Sequence, residues 1–277
     1  MLLIPNHPIL TTTGTNMAMP TNIRTIKAVT RVGSHPGRGA SSSFSDLADL
    51  RLLHLADSAL PIGSLAHSFG IESLVSEGIL CVRDLSSFFR GYLEEAGMME
   101  AVFCREACRL AIVEDREFPA ERWRYINDLL SAFKPARESR AGSASLGENF
   151  LRAVLALGDI PLLREALEAA RKPVHPRSFI HHSPAFGVAC GVLGIEEDRA
   201  TLAYLHQSIA SLVSACQRLM PLGQTEATRI IWDLKPSMIQ AAARSVACGI
   251  DDVFCFMPLL DWGAMEHPAL PTRLFVS

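Results

Sequence analysis

The chain has 277 residues, of which 49% are apolar and 20% are charged, and its net charge is −3. This length can bury one large core or two modest ones, and the small negative charge gives no electrostatic basis for binding nucleic acid. The sequence contains no apolar run of roughly 18 residues or more, so no membrane span is predicted. Seven cysteines lie scattered through apolar segments. Reduced core cysteines in a cytoplasmic protein have this pattern, so we predict a cytoplasmic chain without a disulfide framework.

Residues 1–45 differ in composition from the rest of the chain. They contain no acidic residue, and they are rich in threonine, serine, proline and glycine. Such a segment cannot bury enough apolar surface to offset its ordering entropy, so we predict a disordered N-terminal extension. Two explanations of it stay open: an organelle transit peptide, which shares this composition, or an extension that precedes true initiation at Met17 or Met19.

From residue 46 to residue 249 the apolar residues recur with helical spacing. Prolines and glycines divide this region, and almost no strand-like alternation occurs in it. We therefore predict one all-α domain, a single bundle of about ten helices. The first helix is expected to end before a break at residues 61–63. Its predicted inner face consists of Leu47, Leu50, Leu53 (or His54) and Ala56.

Residues 250–277 form a tail of a different character. Three prolines, at 258, 268 and 271, prevent one continuous helix, so a partly irregular segment is predicted. The tail nevertheless carries many large apolar side chains, which need a surface to cover them. That surface belongs either to the same chain or to a partner. The side chains are Leu259, Leu260, Trp262, Met265, Leu270, Leu274 and Phe275.

One catalytic interpretation of the sequence rests on residues 66–70, whose sequence is Ala-His-Ser-Phe-Gly. They differ by one residue from the G-x-S-x-G nucleophile elbow, so a helical serine hydrolase using Ser68 and His67 is the alternative function. The elbow requires a strand that feeds a strained turn, and the preceding Leu-Pro-Ile-Gly supplies none. We therefore predict no catalytic residue here.

The sequence gives equally little support for a metal site or a nucleotide-binding site. Cys104 and Cys108 are four residues apart and would share a helix face, but no further ligands follow at a recognisable spacing. His175, His181 and His182 fall in a proline-rich segment that is predicted to be an exposed loop. No phosphate-binding glycine motif is present. We predict no metal ligand and no cofactor.

Three segments together resemble the family of urease accessory protein UreF. The first, residues 53–72, contains Ala-Asp-Ser-Ala-Leu-Pro-Ile-Gly followed by His-Ser and a glutamate. The second, residues 212–226, contains Leu-Val-Ser-Ala and then Arg-Leu-Met-Pro-Leu-Gly-Gln-Thr-Glu. The third contains Met-Glu-His at 265–267 and Arg-Leu-Phe-Val-Ser at 273–277. The segments occur in the family's order.

The resemblance implies an all-α protein without catalytic activity of its own. It implies a homodimer that binds UreD (also called UreH), recruits the GTPase UreG and helps deliver nickel to the urease apoprotein. It also implies that the tail docks on the UreD-like partner, so that deleting residues 270–277 abolishes pull-down of that partner. The partner-contact residues it implies are Asp57, His67, Glu72, Gln224, Thr225, Glu226, Arg273, Leu274 and Phe275.

The chain departs from the residues usual in this family at several positions. An altered charge at the rim of an interface can repel a partner that was built for the opposite sign. The departures therefore bear on the partner surfaces and leave the fold prediction unaffected. They include Ser64, Phe69, Glu148, Glu266 and Pro271.

Overall fold

The structure is a computed structural model that describes residues 41–111, 117–170 and 179–277. Most of the predicted N-terminal extension therefore lies outside the described residues, and so does His175. Residues 41–45, the end of that predicted extension, are the first residues of helix α1. The described chain belongs to one compact unit, residues 39–277.

Within the described residues every regular element is helical, which confirms the predicted all-α bundle. A π-helical turn, Leu93–Gly97, joins α3 to α4. No helix of the described residues is long and apolar enough to cross a membrane. The helices are α1 Ser41–Leu55, α2 Ile71–Ser76, α3 Leu85–Tyr92, α4 Met98–Leu110, α5 Ala120–Phe133, α6 Arg137–Leu157, α7 Pro161–Ala169, α8 His182–Val192, α9 Glu197–Leu219, α10 Gln224–Asp233, α11 Lys235–Val246 and α12 Pro258–Glu266.

Helix α9 shows how the sequence specifies these elements. Its apolar residues repeat at helical spacing and are buried along one face. Acidic side chains occupy its first turn and Arg218 its last, which complements the helix dipole at both ends. The buried face of α9 includes Leu205, Ile209, Leu212, Val213 and Cys216.

Helix α4 lies at the centre of the bundle and packs against α5, α8, α9 and α11. The α4–α8 contact is very close, because a Cβ at Gly187 would lie 2.0 Å from the carbonyl oxygen of Cys104. A Cβ at Gly191 would lie 2.3 Å from that of Cys108. Burial raises the pKa of the Cys108 thiol to about 12, so it stays protonated. The two cysteines are therefore small apolar residues at a tight helix crossing.

The inner face predicted for α1 is wrong at its leucines. Leu47, Leu50 and Leu53 are exposed, and so is His54. The predicted Ala56 does pack against the core, together with Ala48 and Leu52, and Leu55 is buried. Apolar residues occupy both faces of this helix, so periodicity alone could not decide which row is covered. The choice is made by tertiary contacts, including an ion pair between Asp49 and Arg199 at the start of α9.

The tail is more regular than predicted. Pro258 occupies the first position of α12, where its missing N–H costs no helical hydrogen bond. A turn of 3-10 helix, residues 267–269, follows, whereas residues 253–257 and 270–277 have no regular secondary structure. Helix α12 crosses α2 at Gly70, where a Cβ would lie 2.6 Å from the backbone nitrogen of Ala264.

Candidate functional site: the tail clamp

The site begins at the break between α1 and α2. Gly63 and Gly70 have positive φ angles, 84° and 94°, and Phe69 also does, at 51°. Phe69 is the one non-glycine residue of the described chain in this left-handed region. Such a conformation costs about 1–3 kcal/mol for a bulky residue, so neighbouring contacts must hold it. The turn orients the backbone and side chains of residues 66–72 toward the tail.

Glu72 is the centre of these contacts. Its carboxylate accepts hydrogen bonds from the backbone N–H of Leu274 at 2.6 Å and of Phe275 at 3.2 Å. It also bonds Nε2 of His267 at 2.8 Å. The Glu72 side chain is buried, so these bonds replace its hydration. One carboxylate thus fastens two parts of the tail to α2. We call this arrangement, Glu72 with Ala66, His67 and Ser68 against residues 267–277, the tail clamp.

Ser68 and His67 both contact Ser277 rather than each other. The Ser68 hydroxyl donates to the carbonyl oxygen of Ser277 at 3.1 Å and accepts from the Glu72 backbone N–H at 3.4 Å. Nδ1 of His67 bonds the Ser277 hydroxyl at 2.7 Å. A nucleophilic serine needs an adjacent base and access to substrate, and fully buried Ser68 has neither among the described residues. The geometry therefore gives no support to the serine hydrolase alternative.

Backbone pairing extends the clamp along the turn. The N–H of Val276 donates to the carbonyl of Ala66 at 2.8 Å, and the N–H of Phe69 donates to Ser277 at 3.1 Å. Ser68 N–H donates to the same Ser277 carbonyl. These bonds hold the strained Phe69 backbone in place. Its ring also stacks on His67, with centroids 5.6 Å apart.

A second carboxylate completes the clamp from α6. Glu138 bonds Nδ1 of His267 at 2.6 Å, so this fully buried imidazole lies between two carboxylates. Glu138 also pairs with exposed Arg273 at 3.3 Å. Neither Glu138 nor Ser277 was predicted as a site residue. Glu138 carries no sequence signal, whereas His267 could have been suspected because it lies in the third matching segment.

Arg218 brings the second matching segment to the same place. Its guanidinium lies 4.0 Å from the ring centroid of Phe275 and donates to the carbonyl of Leu65. A cation over an aromatic face adds to the apolar contact of the ring. The three segments that carry the family resemblance thus meet in space, although up to about 200 residues separate them.

The two faces of the tail differ in their exposure to solvent. Phe275 is only 4% exposed, whereas its neighbours Leu274 and Val276 are 65% and 67% exposed. This alternation is that of an extended segment with one covered face. Met265 and Trp262 on α12 are also exposed apolar residues. A solvent-facing apolar surface therefore lies along the tail, and we call Leu274 and Val276 the outer tail face.

The remaining predicted site residues lie elsewhere. Asp57 is exposed after α1, and its carboxylate caps the turn by accepting the Ala59 N–H at 2.9 Å. Gln224, Thr225 and Glu226 form the exposed first turn of α10. Their side chains face solvent, apart from a 2.9 Å hydrogen bond between Gln217 and Gln224. The structure thus places Asp57 and the α10 turn outside the clamp.

The predicted exposure of His181 and His182 is wrong, since both are buried at the start of α8. His181 bonds the hydroxyls of Ser131 at 2.7 Å and Ser143 at 3.1 Å. Burial lowers the pKa of His181 to about 3 and that of His182 to about 4, so both imidazoles are neutral. The preceding prolines suggested a surface loop, but the histidines begin a helix that packs on α4.

Buried Glu100 interacts electrostatically with both histidines. Burial raises its pKa, but the ammonium of Lys134 and the hydroxyl of Ser183 outweigh this effect and leave the pKa below its ordinary value. The Tyr204 hydroxyl adds a hydrogen bond at 3.3 Å. Glu100 is therefore a charged, fully partnered group that ties α4 to α5, α8 and α9.

A cavity of about 110 Å³ lies beside this cluster, lined by side chains that include His67, Glu100 and His182. Nε2 of His182 has no hydrogen-bond partner in the described part of the chain. A cavity of this size has room for water, which would satisfy that nitrogen. Among residues 41–111, 117–170 and 179–277, no three His, Cys, Asp or Glu side chains are grouped to hold a metal ion.

The fold and the site define an all-α protein whose polar motif residues fasten a C-terminal segment to the bundle. A family model described as UreF matches residues 81–235. A urease accessory protein UreF of Bradyrhizobium sp. (strain BTAi1) is 30% identical over 232 residues, which is 82% of this chain and 91% of that protein. Its namesake in Corynebacterium glutamicum (strain R) is 31% identical over 83% of this chain and 98% of its own length. The chain belongs to the UreF family of urease accessory proteins.

Proposed function

We propose that this chain is a non-catalytic scaffold in urease maturation that uses its clamped tail to bind a UreD-like (UreH-like) partner. The observation that carries the proposal is the outer tail face. The clamp buries Phe275, and polar groups of residues 66–72 form hydrogen bonds with the tail. Leu274 and Val276 stay exposed to solvent. Exposed apolar side chains on a rigidly held segment are suited to burial against another protein.

The remaining roles follow from the family resemblance. In the proposal the chain forms a homodimer in the cytoplasm, and the pair with the UreD-like partner recruits the GTPase UreG. Nickel is the cargo of this assembly on its way to the urease apoprotein. The exposed first turn of α10, residues 224–226, and Asp57 are available for such contacts. The chain itself supplies no phosphate-binding loop, so GTP hydrolysis belongs to UreG.

The structure sharpens the experiment that tests partner binding. Deleting residues 270–277 would also remove the groups that satisfy Glu72 and Ser68, so loss of binding after deletion would be ambiguous. Leu274→Glu keeps every clamp contact because its side chain is exposed. Burying such a leucine at an interface is worth about 1.5–3 kcal/mol, so we expect at least about tenfold weaker binding. Binding is measured by titration calorimetry with the purified UreD-like protein.

Two further variants make the result specific. Leu157→Glu at the end of α6 changes a leucine of similar exposure, 61%, and should bind like the unmodified chain. Arg273→Ala should weaken binding less than Leu274→Glu, since an exposed charge is usually worth under about 1 kcal/mol. Normal binding by Leu274→Glu, with its helical circular dichroism unchanged, would refute the tail as the docking element.

A further inference from the structure

The hydrogen bonds around His267 determine how many protons the tail clamp holds. The imidazole is fully buried, with Nδ1 2.6 Å from a carboxylate oxygen of Glu138 and Nε2 2.8 Å from one of Glu72. An ionised carboxylate only accepts hydrogen bonds, and a neutral imidazole has one N–H and one bare nitrogen. A neutral ring would therefore direct its bare nitrogen at a carboxylate oxygen. The site must hold one further proton, either on the ring or on one of the two acids.

The other partners of the two acids favour the ring as the place of this proton. Glu72 also accepts the backbone N–H groups of Leu274 and Phe275, at 2.6 and 3.2 Å, and such bonds favour an ionised carboxylate. Glu138 also pairs with the guanidinium of Arg273 at 3.3 Å, which again favours the ionised form. An imidazolium ion that donates from both nitrogens then satisfies both acids, and the charges of the clamp balance.

The other titratable and charged groups of the clamp leave this assignment unchanged. Nδ1 of His67 bonds the Ser277 hydroxyl at 2.7 Å, and burial lowers the pKa of His67, so its imidazole is neutral at pH 7. Arg137 lines the groove beside the clamp, where it is exposed and screened by solvent and salt. The charged groups in contact with the ring or with its partners are Glu72 of α2, Glu138 of α6 and Arg273 of the tail.

We infer that His267 is a positioning residue that holds the tail as an imidazolium ion, so that attachment of the tail to the bundle binds a proton. The inference rests on the proposed function where the partner is concerned, because the clamped tail presents the outer tail face. A histidine that is released into water loses its proton at about pH 6.5. Above this pH the clamped chain therefore holds more protons than the released or unfolded chain. The contribution of His267 to stability is fully present below about pH 6.5 and decreases as the pH rises above it.

Nitrogen NMR of the isolated chain, with isotope-labelled histidine, measures the protonation state directly. At pH 7.5 both ring nitrogens of His267 should resonate as protonated nitrogens, and His267→Gln assigns the signals. The same chain unfolded in urea is the reference, because its histidines lie in water and are mostly neutral at this pH. A bare nitrogen on His267 in the folded chain at pH 7.5 would overturn the inference.

Glu138→Gln keeps the shape of the clamp and removes the need for the extra proton. The Glu138 side chain is 22% exposed, so an amide is tolerated there. The amide nitrogen can donate to Nδ1, so that a neutral ring satisfies both of its neighbours. Nδ1 of His267 should therefore become a bare nitrogen in this variant. Glu266→Gln is the control, since it removes an exposed carboxylate beside His267 in sequence and should leave both ring nitrogens protonated.

Urea denaturation between pH 7 and 8.5 measures the bound proton. From His267 alone, the unfolding equilibrium constant of the unmodified chain should rise by up to about tenfold per pH unit. It should rise less steeply in Glu138→Gln, and the comparison cancels the groups that both chains share. Equal slopes would overturn the inference. Slopes that differ, together with normal partner binding by Leu274→Glu, would support the role of His267 and refute the proposed docking role of the tail.

Discussion

The tail clamp and the α10–α11 seam depart from the usual distribution of residues in opposite directions. The clamp buries charged and polar groups, among them Glu72 and His267, and gives them partners within the chain. The seam, the row of Trp232, Pro236, Ile239, Ala243 and Val246 on α10 and α11, leaves its large apolar side chains mostly exposed to solvent, although the Lys235 ammonium lies 3.7 Å from the centroid of the Trp232 ring. Both arrangements are costly in isolation, and they differ in where the compensation comes from.

The difference separates stability from assembly. Removing a clamp residue leaves buried groups unpaired, so the isolated chain should lose stability. Substituting a seam residue leaves no buried group unpaired. The stability of the isolated chain should therefore stay the same, and only association should change. Buried polar residues in a family motif can therefore be mistaken for an active site, whereas exposed apolar residues outside the motif can be overlooked as helix surface.

The largest loss of stability is expected for Glu72→Ala. The change leaves the His267 imidazole and two backbone N–H groups of the tail without their acceptor. Each buried group left without its hydrogen-bond partner costs about 1–3 kcal/mol, so the three lost bonds together are expected to cost on the order of 3 kcal/mol or more. Urea denaturation of the purified chain measures the change in the free energy of unfolding.

Glu77→Ala is the matched control for Glu72→Ala. Glu77 follows the same helix and is exposed, so its removal should change the free energy of unfolding by less than about 0.5 kcal/mol. Equal effects of the two substitutions would show that Glu72 does not hold the tail. Cleavage of the tail by added protease should also accelerate in Glu72→Ala alone.

Acid should act on the buried polar groups and spare the seam. Burial lowers the pKa of His182 to about 4, from an ordinary value of 6.5. At a pH between these two values, His182 therefore binds a proton in the unfolded chain but not in the folded chain. As far as His182 is concerned, the free energy of unfolding has its full value above pH 6.5 and decreases as the pH falls toward 4. Between pH 6.5 and 5 the loss approaches about 1.4 kcal/mol per pH unit for each such histidine.

His182→Phe isolates this contribution. The ring lies among Phe150, Phe186 and Tyr204, so a phenyl group suits the surroundings and has no titrating nitrogen. Chemical denaturation at several pH values should give a shallower acid slope than the unmodified chain, by up to the amount for one histidine. The slope should not vanish, because burial also lowers the pKa of His67, His181 and His206. An unchanged slope would mean that His182 is protonated in the folded chain.

The sequence predicted the fold better than the site, for physical reasons. Helical periodicity is local, so the all-α class could be predicted directly from the sequence. The choice between two apolar faces of α1 depends on what packs against it, and the prediction there was wrong. His67, Ser68 and Glu72 belong to the first segment that carries the resemblance, but their partners lie about 200 residues away in sequence. No local pattern indicates that Ser277 and His267 complete them.

The smallest effect on the isolated chain is expected at the seam. Met238 and Ile239 are adjacent on α11, and Met238 is 3% exposed whereas Ile239 is 60% exposed. Met238→Ala removes a buried side chain and should cost about 2–5 kcal/mol at any protein concentration. Ile239→Ala should change the free energy of unfolding by less than about 0.5 kcal/mol in dilute solution. As the concentration rises, dimer formation stabilises the unmodified chain by mass action, and Ile239→Ala should gain less. Thermal unfolding at several concentrations measures this divergence. A deficit of Ile239→Ala that is already large in dilute solution would make Ile239 a residue of the fold rather than of the interface.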